Sequence, residues 1–394
     1  MSDVKNNKSR NCEPWNISLT KRTGILREAI KSGKKISVII YHHADTSTFR
    51  YRAYNIFQSL QSSNKWRCLY FYCSELETVK KFFKYISIIT IARIQWTNEI
   101  QNFIDLAKSC KIRILFDCDD RVFDIDYIPL LTNTLSVSES EINTYWFPYV
   151  ARHELTAKQA DGYIATNTFL ANAFETKFGK KAYVVPNFMN SEQLSVSTKV
   201  CEKKKKHTKK KFFDIGYFSG SPSHINDFRI IYKQLIQLLE EYDDIRVKVV
   251  GFMEFPPEMQ KFLVSGRVTL NPLVDFLTLQ ELMAEVDVSV VPLVVNDFTN
   301  CKSELKFFEA AVVDTLTVAS RSYTYENSIQ NGKTGFLCKP TEWYVTLKNI
   351  YLGEYNIQNI IQNAHTYVMK NYAGEKIQKQ IETVYETFLG GSKK

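Results

Sequence analysis

Residues 214–228 read DIGYFSGSPSHINDF. A short apolar run passes into a Gly/Ser loop, and a helix-forming stretch begins near Ser223. The pattern predicts a buried strand, a loop and the N-terminus of a helix. Gly216 and Gly220 permit tight backbone geometry there. Ser219, Ser221 and Ser223 offer hydroxyls, and the first helical amides face the loop, which suits a phosphate or diphosphate. The loop is neither G-x-G-x-x-G nor a P-loop, so a capped helix after a strand is an equal reading. What decides the fold is where the stretch stands. It opens a second series of strands and helices.

Downstream, strands are predicted at 246–251, 267–272, 288–293 and 316–320, with helices at 224–241, 276–286, 302–313 and 341–352. Upstream, a first series has strands at 35–43, 68–73, 85–94, 112–119, 162–166 and 182–187. Helices at 52–62, 97–110, 144–160 and 168–178 lie between them. Continuous apolar strands alternating with helices predict parallel sheets covered on both faces. The fold class is therefore α/β, with two Rossmann-like, doubly wound domains. The expected division is 1–34 as an irregular extension, 35–190 as the first domain and 191–212 as a Lys-rich linker. The second domain is 213–353, and 354–394 forms C-terminal helices. In such sheets ligands bind beyond the C-terminal strand ends.

The chain has 394 residues, 44% hydrophobic and 24% charged, as in ordinary globular domains. Eight cysteines without a C-x-x-C do not make a disulfide scaffold. The N-terminus lacks the apolar core of a secretory signal, and no run is long enough to span a membrane. The expectation is a cytoplasmic protein with free thiols. Net charge is +9, and residues 203–211 hold seven lysines in nine positions. A nucleic-acid groove would interleave aromatics with such charge, so nucleic acid is not the expected partner. A solvated linker or attraction to an anionic membrane surface remains, the latter placing the protein at the inner face of the cell membrane.

Two more loops could carry chemistry. In TNCKSELKFFEAAVVDTLTVAS, 299–320, a helix starting near Lys302 would put Lys302, Lys306 and Glu309 on one face. Lys302 and Ser303 would stand at a strand end, where a cation can neutralise a diphosphate and Glu309 can accept from a ribose diol. A salt-bridged surface helix explains the same residues. In ILFDCDDRVFD, 114–124, Asp117 and Asp119 are spaced as in metal-binding D-x-D motifs.

GYFSGSPSHINDF, CKSELKFFEAAVVDTLTVAS and NGKTGFLC (331–338), in this order, resemble the C-terminal half of GT-B glycosyltransferases, in particular the retaining family 4-like bacterial enzymes. TFRYRAYNI (48–56) and FDCDDRVFD (116–124) resemble first-domain motifs of a subgroup. The resemblance implies two domains facing a central cleft, a nucleotide-diphosphate-sugar donor on the second and a glycan or lipid-linked acceptor on the first. The tail helix would cross back to the first domain. Donor contacts fall on Gly220, Ser221, Ser223, Lys302, Ser303, Lys306 and Glu309, with Glu309 at the family's second motif glutamate. Cys301 stands where the first is expected. His43, Arg50 and Arg52 become candidates for acceptor or phosphate binding. Asp119 and Asp120 join Lys302 and Glu309 as catalytic candidates, and Asp117 reads as structural. No metal or other cofactor is expected, because helix amides and cations can stabilise the leaving group.

The function expected is a retaining glycosyl transfer, in bacterial cell-surface polysaccharide synthesis. The alternatives are a non-catalytic partner of another transferase, motivated by Cys301, and a metal-dependent GT-A enzyme, motivated by the D-x-D spacing.

Overall fold

The computed structural model describes residues 13–45, 47–135, 137–206, 210–220 and 224–390. The chain divides into two compact units. The first comprises Trp15–Asn190, Val295–Leu305 and the described part of 369–394. The second comprises the described residues of Met1–Pro14, Ser191–Val294 and Lys306–Val368.

The first unit holds a six-stranded sheet: β1 (Lys35–Tyr41), β2 (Trp66–Tyr72), β3 (Ile86–Ala92), β4 (Arg113–Asp117), β5 (Gly162–Ala165) and β6 (Ala182–Val184). Its order is β2-β1-β3-β4-β5-β6, and every pair is parallel. These strands are apolar runs because helices cover both faces. The helix Asn98–Ser109 shows how: Thr97 caps it by accepting from Ile100 N at 3.2 Å, and Ile100, Phe103, Ile104 and Ala107 face the core. Burying each of its three large apolar side chains contributes about 2 kcal/mol.

The second unit holds β7 (Phe213–Ser219), β8 (Ile245–Gly251), β9 (Val268–Asn271), β10 (Val288–Val291), β11 (Leu316–Ser320) and β12 (Phe336–Cys338). The order is β12-β11-β10-β7-β8-β9, again all parallel. Counted within the unit from β7, this is the 3-2-1-4-5-6 order of dinucleotide-binding sheets.

Four expectations are corrected. Part of 1–34 is a helix, Leu19–Lys31, which packs on the first sheet. Its inward face includes Arg22, which the pattern could not place. Arg22 forms a bidentate ion pair with Glu75, at 2.8 and 2.6 Å, and donates to Tyr70 O. Much of 191–212 is a helix, Ser191–Lys206, packed on Phe276–Ala284. Its buried residues Gln193, Ser197 and Cys201 recur every four positions, but the first two are polar, so the 3.6-residue period was invisible. The helix expected at 224–241 is broken into His224–Phe228 and Tyr232–Glu241. The one expected from Lys302 begins at Leu305; Lys302 itself is extended, with ψ 153°.

The tail helix Gly374–Gly390 packs in the first unit. Glu386 accepts from Lys35 Nζ at 2.6 Å and from Trp66 Nε1 at 2.9 Å, and Gln380 donates to Val184 O.

Candidate functional site

In an open parallel sheet the crevice forms where the strand order reverses, beyond the C-terminal strand ends. In the first unit that point lies between β1 and β3. There Tyr41, His42 and His43 come from the end of β1, and Arg93 follows β3. They line a cavity of about 570 Å³, together with Asp45, Thr48, Tyr145, Tyr149 and His153.

Arg93 is the centre of this array. Its backbone is left-handed, with φ 48°, an uncommon conformation for a side chain with a Cβ. Its amide donates to Asp117 O at 2.8 Å. Its guanidinium donates to Asp119 Oδ1 at 2.8 Å, to Thr48 Oγ1 and to the Tyr149 hydroxyl, both at 3.3 Å. Asp120 lies 3.8 Å away on the same cation and 3.4 Å from Lys302 Nζ. Burial opposes the charge on Asp119, but Arg93 and then Arg52 hold its carboxyl below the usual range. A carboxylate so held is a poor proton acceptor near neutral pH and acts by orienting Arg93.

Two histidines border the cavity in neutral form. Burial, then the neighbouring His43, lowers His42. Burial pushes His153 down to about 4. His153 Nδ1 lies 2.8 Å from Tyr149 O, an acceptor, so that nitrogen carries the proton. His42 Nδ1 and His153 Nε2 are buried with no hydrogen-bond partner among the described residues. Tyr145 stacks on Tyr149 at 5.4 Å and 20° and is more than half exposed.

The arginines of 48–56 sit elsewhere. They lie in a π-helix, Arg50–Tyr54. Arg52 is a correction: its guanidinium is buried and makes a bidentate pair with Asp117, at 2.9 and 2.8 Å, with further bonds to Val185 O and Asn187 Oδ1. It has no face to offer a phosphate. Arg50 is also buried and stacks on Tyr51 at 4.1 Å, so it too leaves the strand end.

Lys302 and Ser303 belong to the first unit and precede the helix Leu305–Ala311. Asn167 Nδ2, at the N-cap after β5, donates to Asn300 O and Lys302 O at 3.1 Å and fixes this segment. Cys301 is a core residue whose thiol burial pushes up to about 12. Glu304, not singled out from the sequence as a site residue, is buried; burial raises its carboxyl above the usual range despite bonds from Tyr372 and Ser303. A buried carboxylate of this kind is a marker of functional sites.

In the second unit the reversal lies between β7 and β10. Ser219 ends β7 and Gly220 follows it; Ser221 and Ser223 lie outside the described residues. Asp227 Oδ1 accepts from Val294 N at 2.9 Å, and Ser320 Oγ accepts from Leu293 N at 2.9 Å, so the loops after β7, β10 and β11 are joined. Gly251, φ +100°, is the glycine this edge requires, because a Cβ there would meet Ser219 O at 1.8 Å. A Cβ at Gly220 would meet open space. Glu309 is buried on the helix Leu305–Ala311 and accepts from Gln193 Nε2 at 3.3 Å. Lys306, on the same helix, places its ammonium 5.6 Å from the Tyr217 ring of β7.

The Lys-rich run is partly spent on the fold. Lys204 Nζ donates to Asp314 O at 2.6 Å and to Val313 O and Thr315 Oγ1, and burial brings it down to about 8. Lys210 donates to Glu285 O and pairs with Asp287. Residues 207–209 lie outside the described residues. No described helix is long and apolar enough to cross a membrane.

Residues 214–370 match the family model of glycosyl transferases group 1. No curated protein sequence matches the chain. HepE of Anabaena in complex with UDP is 13% identical with a TM-score of 0.61, over 90% of this chain and 100% of that one. Sucrose-phosphate synthase from Thermosynechococcus elongatus is 13% identical with a TM-score of 0.60, over 91% and 100%. The pneumococcal O-GlcNAc transferase GtfA, in complex with UDP and GlcNAc, is 12% identical with a TM-score of 0.53, over 79% and 60%. At these identities the likeness is one of fold. The chain has the fold of the GT-B glycosyltransferases, and its residues 214–370 are similar to the group 1 glycosyl transferases.

Proposed function

We propose that the chain transfers a sugar from a UDP-sugar to a carbohydrate hydroxyl, with retention of anomeric configuration. The observation that carries this reading is the β7/β10 edge of the second unit. It combines the 3-2-1-4-5-6 order, the joined loops and a buried Glu309 held by Gln193, all inside or beside the family match. HepE complexes with UDP and with UDP-glucose support uridine as the nucleotide.

In this reading Glu309 accepts from the ribose diol. Negative charge grows on the leaving diphosphate as the sugar gains oxocarbenium character. Loop amides after β7 and Lys306 meet that charge, so no metal is needed. The acceptor lies in the first-unit cavity. Tyr145 and Tyr149 present a flat apolar face to a sugar ring, while Arg93, His42 and His43 offer polar contacts. Lys302, paired with Asp120, is assigned to this side. A glycan or lipid-linked acceptor of cell-surface polysaccharide synthesis fits such a cavity. Attraction to anionic lipid rests on the exposed Lys203 and Lys211 and on what 207–209 add.

One observation favours a second reading, a non-catalytic partner of another transferase: Cys301 is buried and supplies no carboxylate at the first motif position. Incubating the purified chain with nucleotide-sugars and glycan acceptors separates the two. Transfer with the acceptor's new bond in the donor's anomeric configuration, read by NMR, supports the first reading. Donor binding without any turnover supports the second.

A further inference from the structure

The second unit carries another cluster, remote from Ser219 and Val291. Cys201 on the helix Ser191–Lys206, Asp314 before β11 and His365 on the helix Ile357–Asn371 converge. A thiol sulfur, a carboxylate oxygen and an imidazole nitrogen lie within 4.8 Å of one another. His365 Nδ1 is 2.8 Å from Asp314 Oδ1. Cys201 is buried, and the other two are partly covered. The cluster sits at the N-terminal strand edge, since Asp314 precedes β11. A cavity of about 440 Å³ runs from Asp314 to Phe213 and Val288, the first residues of β7 and β10. A second, of about 410 Å³, is lined by Cys201, Asp314 and His365 themselves.

Asp314 occupies a left-handed turn, φ 55°, where glycine carries no steric cost. Asp is one of the few side chains tolerated there. The turn is pinned by Lys204 Nζ on Asp314 O, so the carboxylate is held toward Cys201 and His365. Lys204 is spent on three oxygens and stands outside the donor set.

One thiolate, one imidazole and one carboxylate form a mixed set of borderline hardness. It suits Zn²⁺ rather than Mg²⁺ or Ca²⁺, which take oxygen ligands. With Zn–S near 2.3 Å and Zn–N or Zn–O near 2.0–2.2 Å, tetrahedral donors stand roughly 3.3–3.7 Å apart. Donors within 4.8 Å reach that geometry by shifts of about 1 Å or less.

We propose that Cys201, Asp314 and His365 form a Zn²⁺ site that ties the helices Ser191–Lys206 and Ile357–Asn371 to the turn before β11, with a fourth position open to the adjoining cavity. Binding converts the Cys201 thiol to thiolate and releases its proton to solvent. The site lies at the strand edge opposite the one assigned to the donor, and its test needs no transferase activity.

The test uses the full chain, stripped with chelator and dialysed. Zn²⁺ affinity is measured by competition with a chromophoric chelator, and Co²⁺ loading by its thiolate charge-transfer absorption. The expected result is one Zn²⁺ per chain, with Kd below about 1 µM, and a Co²⁺ spectrum with a thiolate band. Cys201→Ser should abolish that band. His365→Gln, a change at a partly exposed side chain, should weaken Zn²⁺ by about 10–100-fold while the metal-free Tm stays put. Absence of a thiolate band in the unmodified chain overturns the proposal. So does Zn²⁺ binding that survives unchanged in His365→Gln, which would assign it to other thiols.

Discussion

Arg93 and Asp119 form a salt bridge of 2.8 Å at the point where the first sheet reverses its strand order, and Arg93 holds a left-handed backbone to do so. The pair carries the first-unit side of the account, because it fixes a cation at the mouth of the cavity assigned to the acceptor.

Asp119→Asn should therefore leave donor affinity unchanged and impair transfer. Losing one charge-assisted hydrogen bond, about 1.5–3 kcal/mol, corresponds to roughly 10–100-fold in kcat/KM for the acceptor. Calorimetry with a UDP-sugar and a separate transfer assay check the split. An equal loss of donor affinity would remove Asp119 from the acceptor side.

Glu309→Gln should do the reverse. The neutral amide fills the same buried space and still meets Gln193, so the fold should survive. The hydrogen bond proposed to a ribose diol would lose charge assistance, and donor Kd should rise by about 10-fold or more. Donor titration of the variant measures this.

Arg52 and Asp117 make a different prediction, about stability alone. Arg52→Met strands a carboxylate in the core and should cost about 3–5 kcal/mol in urea unfolding. Arg52→Met with Asp117→Leu should recover part of the loss, since no lone charge remains. A site role for Arg52 would instead predict lost ligand affinity at unchanged stability.

His153 gives a pH dependence. In the unfolded chain an imidazole binds its proton near pH 6.5, while in the fold burial delays this to about pH 4. Between those values the unfolded state binds more protons, so stability rises with pH and is lost as pH falls from 6.5 toward 4. The His153 share is at most about 3 kcal/mol. His42, also lowered, adds with the same sign. His153→Phe should flatten the dependence, read from unfolding curves across this window.

The sequence made the strands legible, because buried parallel strands are unbroken apolar runs. Eleven of the twelve described strands appear where such runs were read, and the short β12 lies at the end of the NGKTGFLC stretch. It hid the helix Ser191–Lys206, whose inward face is Gln193, Ser197 and Cys201, and it hid the partner of Arg22, 53 residues away. It also misplaced Lys302, since the helix starts three residues later and the segment before it packs against β5's following helix. Glu309 and the β7 loop were readable as motif residues. Arg93 was not, although it stands near the end of a predicted strand, 85–94. Its importance depends on β3 lying beside β1, and strand order is a tertiary fact. Glu304 needed burial to be noticed, and burial of one carboxylate leaves no local pattern.

The central claim is that the second unit binds a UDP-sugar and the chain transfers its sugar. The direct measurement offers the purified chain UDP-, GDP- and dTDP-sugars with a set of glycan acceptors, recording both binding and released nucleotide. The account predicts binding of a UDP-sugar, acceptor-dependent release of UDP and a glycosylated product. Failure of every UDP-sugar to bind or turn over would contradict it.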